Sequence, residues 1–423
     1  MACLRGGAGS AVEIDMRGAF MDIAPIFASL HKHRTPVALI VLEIALACAV
    51  FCNAVFIIGQ RVAELGMSNA IAESHLVVIS VNGSNPDTAR ADIPRNLAAL
   101  RGIPGVTGAA VMTSIPFGQS AGVDGVSTGP DSQVHPGASR YMLGEGGPRV
   151  LGLRLLKGRF FGPGEYADST LRGGMMPNGH VVIITQSLAQ RLWPSGHALG
   201  QQLWVGSEKH YAVIGVTADV ARPGSSSIGR GSAHYAVFFP LAPDPAFTQY
   251  VVRSAPQNRQ RVLHAAEAKL HTLAPNMVIK GQTFAQIRDQ AFTATRSMAW
   301  VLVLVCLVML TVTAFGIVGL SSFWVRQRRR QIGIRRAIGA TRANILRYFQ
   351  TENFLIVSLG IALGMVLSWG VNLYLMKHYE LPRLPWHYLP VGALTLWLIG
   401  QLAALGPALH ASRVPPVVAT RSV

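Results

Sequence analysis

Four stretches of the chain are too long and too apolar for the core of an ordinary soluble domain: PVALIVLEIALACAVFCNAVFIIG (36–59), MAWVLVLVCLVMLTVTAFGIVGLSSFWV (298–325), NFLIVSLGIALGMVLSWGVNLYLM (353–376) and YLPVGALTLWLIGQLAALGPAL (388–409). Each reaches the roughly 20 residues that cross about 30 Å of hydrocarbon. The first contains one acid, Glu43, and the other three contain none. Their lengths and lack of charge predict four transmembrane helices. The fold class expected is an integral membrane α-helical protein with a large α+β domain between helices 1 and 2.

Charge sets the orientation. The chain has 37 Lys+Arg against 20 Asp+Glu, a formal net charge of +17. Eight arginines and no acid lie between Arg326 and Arg347, in the loop joining the second and third apolar runs. Loops rich in Lys and Arg near helix ends stay cytoplasmic. HKHR precedes the first run and Arg413 and Arg421 follow the fourth, so both termini are placed inside and residues 61–296 outside. The organisation expected is a cytoplasmic N-terminus with an amphipathic helix (1–34), a first span (35–60), an outer domain (61–296), a second span (297–325), a cytoplasmic segment (326–351), a third span (352–377), a short outer loop (378–387), a fourth span (388–410) and a cytoplasmic tail (411–423). MDIAPIFASL (21–30), with Ile23, Ile26, Phe27 and Leu30 on one side, is the surface-lying helix. Arg326, Arg328, Arg329 and Arg330 are expected to fix topology and meet anionic lipid. The basic excess therefore points to membrane and not to nucleic acid.

The outer segment reads as α/β. HLVVISV (75–81) is a strand, a helix follows from Asp87 or Thr88, and GAAVMTS (108–114) is a second strand. The same grammar recurs in TQYVVRS (248–254), QNRQRVLHAAEAKLHTL (257–273) and APNMVIK (274–280). These two strand–helix–strand units are taken as one subdomain, with the middle of the segment inserted as a second. Gly-, Ser- and Pro-rich stretches at 118–148 and 222–232 read as surface loops. All four cysteines lie outside this segment, so it folds without disulfides.

Within the helices, Gly360-x-x-x-Gly364 with Ser368 gives a stripe of small residues suited to close helix packing. Cys48 and Cys52, one turn apart, are read as packing and not as a metal pair. Glu43 and Asn53 are costly against lipid and are expected to face another helix. No phosphate loop, H-E-x-x-H or C-x-x-C string occurs. His180, His197, His210 and His234 sit in unrelated contexts. No catalytic, cofactor or metal residue is assigned.

The basic loop is an ordered mixture and not a plain charge run. RQRRRQIGIRRAIGATRANILRYFQTENFL (326–355) sets Ile, Gly and Ala among the arginines. The second span is expected to continue beyond the bilayer, bend at 339–341 and re-enter through an amphipathic helix capped by Thr341, with Ile345, Leu346 and Phe349 on its apolar side. This segment resembles the cytoplasmic signature of FtsX-like/MacB-type permeases of bacterial ABC transporters, approximately R-x-x-E-I-G-[IL]-R-[RK]-A-[IL]-G-A. LGLRLLKGRFF, VVIITQSLAQRLWPSGHALGQQLWVG and YAVIGVTADV are similar to that family's periplasmic core, and PALHASRVPPVVATR to its usual ending. Gln331 stands where the family has Glu.

The resemblance implies a non-catalytic permease subunit in the inner membrane that pairs with cytoplasmic ABC ATPase subunits and a second permease copy or paralogue. A periplasmic adaptor and an outer-membrane channel complete the implied assembly. ATP acts only through the ATPase. The implied coupling residues are Gln331, Ile332, Gly333, Arg335, Arg336, Ala337, Ile338, Gly339 and Ala340. Ile332, Ala337 and Ile338 are expected to enter a groove on the ATPase, with Arg335 and Arg336 pairing with acids at its rim. An FtsX-like regulator that controls a periplasmic partner such as a cell-wall hydrolase, without transport, shares this architecture. A two-helix receptor does not, since it would place a signalling domain after the second helix.

Overall fold

A computed structural model describes residues 34–67, 69–83, 87–118, 122–171, 174–206, 209–223, 232–379 and 383–413. The surface helix expected at 21–30 and the basic residues Lys32 and Arg421 lie outside these described residues. In chain order the elements are α1 (Arg34–Leu65), β1 (Leu76–Asn82), α2 (Ala89–Arg101), β2 (Val106–Met112), β3 (Gly122–Ser127), β4 (Gly137–Leu143), α3 (Gly147–Leu151), β5 (Leu155–Gly158), α4 (Pro163–Ala167), β6 (Val181–Thr185), α5 (Gln186–Leu192), β7 (Gln202–Val205), β8 (Lys209–Thr217), β9 (Ala236–Pro240), β10 (Gln249–Ser254), α6 (Arg259–Leu273), β11 (Val278–Thr283), α7 (Phe284–Gln327), α8 (Arg329–Ala337), α9 (Arg342–Tyr379) and α10 (Tyr388–Ser412). They fall into two compact units, one built on residues 57–301 and the other on residues up to 56, 302–379 and 383 onward.

In the first unit the two strand–helix–strand segments form one antiparallel sheet in the order β11-β1-β10-β2. Numbering those strands 1 to 4 by sequence gives 4-1-3-2, the split β-α-β arrangement. Side chains of β1 alternate as period 2 requires. Val77, Ile79 and Val81 join the core beneath α2 and α6, with Leu97, Leu100, Val262 and Leu270. Leu76 and Val78 join the opposite core, with Leu151, Phe284 and Ile287.

The residues between β2 and β10 close on themselves. β4-β3-β7-β8-β6-β9 pair in sequence, and β9 returns to β4 in parallel, Tyr141 against Phe238. This six-stranded ring encloses Val182, Ile184, Leu203, Val213 and Phe239. It meets the first sheet through the pairing of Met112 with Leu143. The expected insertion is present, but as part of a continuous sheet. The stretch 118–148 is not simply loop, since it contains β3 and β4. Glycines at 122, 125 and 137 weaken the local strand signal, while ring closure supplies the pairing that forms the strands.

In the second unit four long apolar helices pack together. All four of α1, α7, α9 and α10 are long and apolar enough to cross a membrane. Their shared core contains Ile44, Cys48 and Cys52 of α1, Ile317 and Trp324 of α7, Val357 and Ile361 of α9, and Leu396 and Ala404 of α10. Glycines permit the close approach. A Cβ on Gly360 would stand 2.7 Å from Ile44, one on Gly364 would strike Cys48, and one on Gly400 would stand 2.9 Å from Val357.

Candidate functional site

The arginine-rich loop folds as α8, a nine-residue helix between α7 and α9. Its end follows from sequence. Gly339 takes φ +106, which favours glycine. Its N–H donates to Arg336 O at 3.2 Å, and Ala340 N–H donates to Arg335 O at 3.0 Å, closing a Schellman turn. Thr341 Oγ1 then accepts from Asn344 N–H at 3.2 Å and caps α9. The bend thus lies at 339–341, but a second break precedes it. α7 ends at Gln327, and Arg328 leaves helical geometry with φ −100 and ψ 11 before α8 begins.

Arg328 turns inward. Its Nη1 donates to both carboxylate oxygens of Glu352 at 3.0 Å, and its guanidinium stands 5.5 Å from the Trp324 ring centroid. The side chains of the pair are 12% and 2% exposed. This corrects the expectation that Arg328 meets lipid headgroups. Burying an ionised carboxylate is costly unless it is paired and hydrogen-bonded, and Arg328 supplies the partner. Arg326, Arg329 and Arg330 remain exposed.

The apolar residues of α8 divide between two faces. Ile332 is 4% exposed and packs with Val325, Ile345, Phe349, Ala408 and Ala411. It therefore belongs to the protein's own core and cannot enter a groove on another subunit, contrary to the sequence-based expectation. Gly333 beside it is buried. Ile338 is 82% exposed and Ile334 44%. With Ala337, also exposed, they form an apolar strip at i, i+3 and i+4. The sequence-based expectation singles out Ile332, whereas Ile334 is the exposed residue of the two. Gln331 and Gly339 are exposed and Ala340 is half-buried.

Arg335 and Arg336, expected at the rim of a partner, also serve this chain. Arg335 lies 4.9 Å from the ring centroid of Tyr348, and Arg336 Nη1 donates to Ser412 O at 3.2 Å. Within the helix bundle, Gly360, Gly364 and Ser368 share one buried face of α9 toward α1. Asn53 Nδ2 donates to Ser368 Oγ at 3.0 Å and to Ser368 O at 3.2 Å. Glu43 faces Gly316 of α7, where a Cβ would stand 2.7 Å from its carboxylate.

The outer unit offers a cleft of about 260 Å³ between α2 and the α4 and 241–247 segments, walled by Leu97, Val111, Tyr166, Leu241 and Phe247. A second cavity of about 200 Å³ shares Glu145, Pro163 and Tyr166 with it. Burial pushes the Tyr166 hydroxyl well above its ordinary range, so it stays a neutral hydrogen-bonding group. No group of three His, Cys, Asp or Glu side chains arranged to hold a metal occurs among the described residues. One catalytic-looking string, GQSAG at 118–122, matches G-x-S-x-G. Its residues 119–121, the serine among them, lie outside the described residues, so the string carries no structural reading.

Comparison with known proteins agrees with this architecture. The model for the MacB-like periplasmic core domain matches residues 38–291, and that for the FtsX-like permease C-terminal region matches residues 303–416. The chain is 27% identical over 281 residues to the macrolide export ATP-binding/permease protein MacB of Chromobacterium violaceum, covering 64% of this chain and 41% of that protein. It is 24% identical over 285 residues to the uncharacterized ABC transporter permease YknZ of Bacillus subtilis, covering 66% of this chain and 68% of that one. The match thus spans less than half the length of the MacB relative. A crystal structure of the periplasmic region of MacB from Actinobacillus actinomycetemcomitans is similar at 14% identity with a TM-score of 0.36, covering 52% of this chain and 94% of that one. With four apolar helices, a β-rich domain between the first and second, and both family regions matched in order, the chain belongs to the FtsX-like, MacB-type family of ABC transporter permeases, as a multi-pass membrane protein with a periplasmic domain.

Proposed function

We propose that this chain is the membrane subunit of an ABC exporter in which ATP is hydrolysed by a separate cytoplasmic ATPase that docks on α8. The observation that carries the reading is the exposed strip of Ile334, Ala337 and Ile338 on a helix whose other side is buried against α9 and α10. Such a strip is short of the area of a stable interface by itself, but buried apolar centres dominate binding where they are present. The flanking Arg329 and Arg330 add charge at the rim, where each exposed pair contributes about 0–1 kcal/mol. α7 is continuous from Phe284 to Gln327, about 66 Å at the helical rise of ~1.5 Å per residue. It is the element best suited to pass a displacement between the cytoplasmic loop and the outer domain.

In this reading α8 and both termini face the cytoplasm, the membrane is the bacterial inner membrane, and a second permease copy or paralogue completes the dimer. A periplasmic adaptor and an outer-membrane channel would receive the exported molecule. The 423 residues contain no phosphate loop, consistent with nucleotide binding in the partner. The cleft beside Tyr166 offers room for an apolar group. The second reading, a regulator of a periplasmic enzyme, uses the same α8 strip and differs only in what the outer domain engages.

The test is co-purification with an ABC ATPase expressed alongside the chain. Ile338→Asp is expected to insert normally and lose the ATPase, while Arg330→Gln keeps it. Normal ATPase recovery with Ile338→Asp removes the docking assignment. Arg328→Gln is unsuitable as the control, because it strands Glu352 in the bundle.

A further inference from the structure

Beside its contacts with Trp324 and Val325 of α7, the α8 region is anchored to α9 and α10. Arg328 holds Glu352, Arg335 covers Tyr348, Arg336 donates to the carbonyl of Ser412, and Ile332 packs among Ile345, Phe349, Ala408 and Ala411. One residue beyond Glu352, Asn353 Nδ2 donates to Gly400 O at 2.9 Å and ties α9 to α10. The anchors differ in kind. An apolar cluster tolerates sliding, because dispersion is weak per contact and non-directional. A carboxylate that receives two hydrogen bonds from one guanidinium nitrogen, in a site 2% exposed, is directional and cannot be exchanged for water. The pair sits at the break between α7 and α8, the point where a push on α8 would otherwise be absorbed by bending.

We infer that Glu352 is a positioning residue for force transmission: through Arg328 it makes α8, the start of α9 and the end of α10 one body, so that displacement of the exposed strip is delivered to α9 and α10 as well as along α7. This rests on the reading that the strip receives an ATPase, and the two can fail separately.

The experiment uses the full chain in lipid nanodiscs with its co-expressed ATPase, and nitroxide labels at Gln331 on α8 and Arg347 on α9, both exposed. In the otherwise native chain the distance between the labels is expected to be the same without nucleotide and with a non-hydrolysable ATP analogue. With Glu352→Gln the ATPase still co-purifies within about twofold, the label distances broaden, and permease-stimulated ATP hydrolysis falls about tenfold, the size of an ordinary coupling term. Arg328→Lys, which keeps the charge but loses the guanidinium plane over Trp324, is expected to lie between native and Glu352→Gln. A nucleotide-dependent change in the native distance overturns the one-body inference, and this arm decides the matter even where Glu352→Gln fails to insert. Native-like distances and stimulation in Glu352→Gln also overturn it. Retention of the ATPase by Ile338→Asp would instead remove the docking reading, leaving the distance result to be judged by itself.

Discussion

Arg288 reaches Glu73, 215 residues earlier, with Nη1 2.7 Å from the carboxylate. Its Nη2 also donates to Met67 O at 3.1 Å, and the guanidinium stands 5.3 Å from the ring centroid of Phe117 and 5.9 Å from that of Phe292. One side chain thus fastens the segment that leaves α1 to the first turns of α7, inside the outer unit. Phe117 occupies φ +61, uncommon for a large side chain, and packs its ring 5.3 Å from Phe292.

Arg288→Ala should therefore lower the stability of the outer unit by about 2 kcal/mol, the scale of hydrogen bonds to a charged group. Arg288→Lys should recover only part, because an ammonium lacks the planar fork that serves a carboxylate and a carbonyl together. Thermal melting of the detergent-solubilised chain measures both. Identical melting curves for native and Arg288→Ala would show that the cluster holds nothing together.

Gly364 faces Cys48 and the carbonyl of Ala45, and an added Cβ would stand 2.7 Å from that carbonyl oxygen. Backbone atoms cannot move aside as a flexible side chain can. Gly364→Val is expected to cost about 1–3 kcal/mol, the usual range for overpacking, and to reduce the yield of folded protein in detergent. Gly370, with open space at its Cβ position, is the control: Gly370→Ala should melt like the native chain. Equal behaviour of the two variants would refute close α1–α9 packing.

Glu165 accepts from both Arg159 and the backbone N–H of Gly162, at 2.8 Å from Arg159 Nη1 and 2.7 Å from Gly162. Its carboxyl is held below the ordinary value of 4.5, chiefly by the Arg159 hydrogen bond and against the opposing effect of partial burial. A depressed folded-state value means that the unfolded chain binds the proton more readily. The stabilisation is fully present above pH 4.5 and fades as the pH falls through the folded value. Glu165→Gln should lower stability at pH 7 and flatten the acid-side decline. An unchanged acid limb would assign that decline to other carboxylates.

Local patterns carried much of this structure. The apolar runs mark the four long helices, and the repeated strand–helix–strand grammar marks the sheet of β1, β2, β10 and β11. The ring was not legible because its closure is non-local: Ser139 pairs with Ala236, nearly a hundred residues on. On α8 the sequence could not rank Ile332 against Ile334. Two residues apart on a helix they point to nearly opposite sides, and only the position of Ile345 and Phe349 decides which is buried. Arg328 was one arginine among neighbours. The available signal lay in its partner, since Glu352 is the sole acid between residues 298 and 376. A lone acid in such a setting is costly against lipid and favours a polar or charged partner inside the bundle.

Orientation is the remaining claim on which the docking proposal depends. The positive-inside bias of the arginines in the α7–α9 loop predicts that this loop is cytoplasmic. The prediction uses cysteine probes in a background cleared of the native cysteines. Met175, 77% exposed in the outer unit, and Thr341, exposed at the α8–α9 turn, are the two positions. In intact spheroplasts a membrane-impermeant maleimide should modify Met175→Cys and leave Thr341→Cys unmodified until the membrane is opened. Neither probe replaces a residue of the Arg328–Glu352 pair or of the α8 strip, and because Thr341 caps α9, normal melting of Thr341→Cys is the control that ties labelling to sidedness. The opposite pattern would put the strip of Ile334 and Ile338 outside the cell, where no ATP-hydrolysing partner could reach it, and both the exporter and the regulator readings would fall.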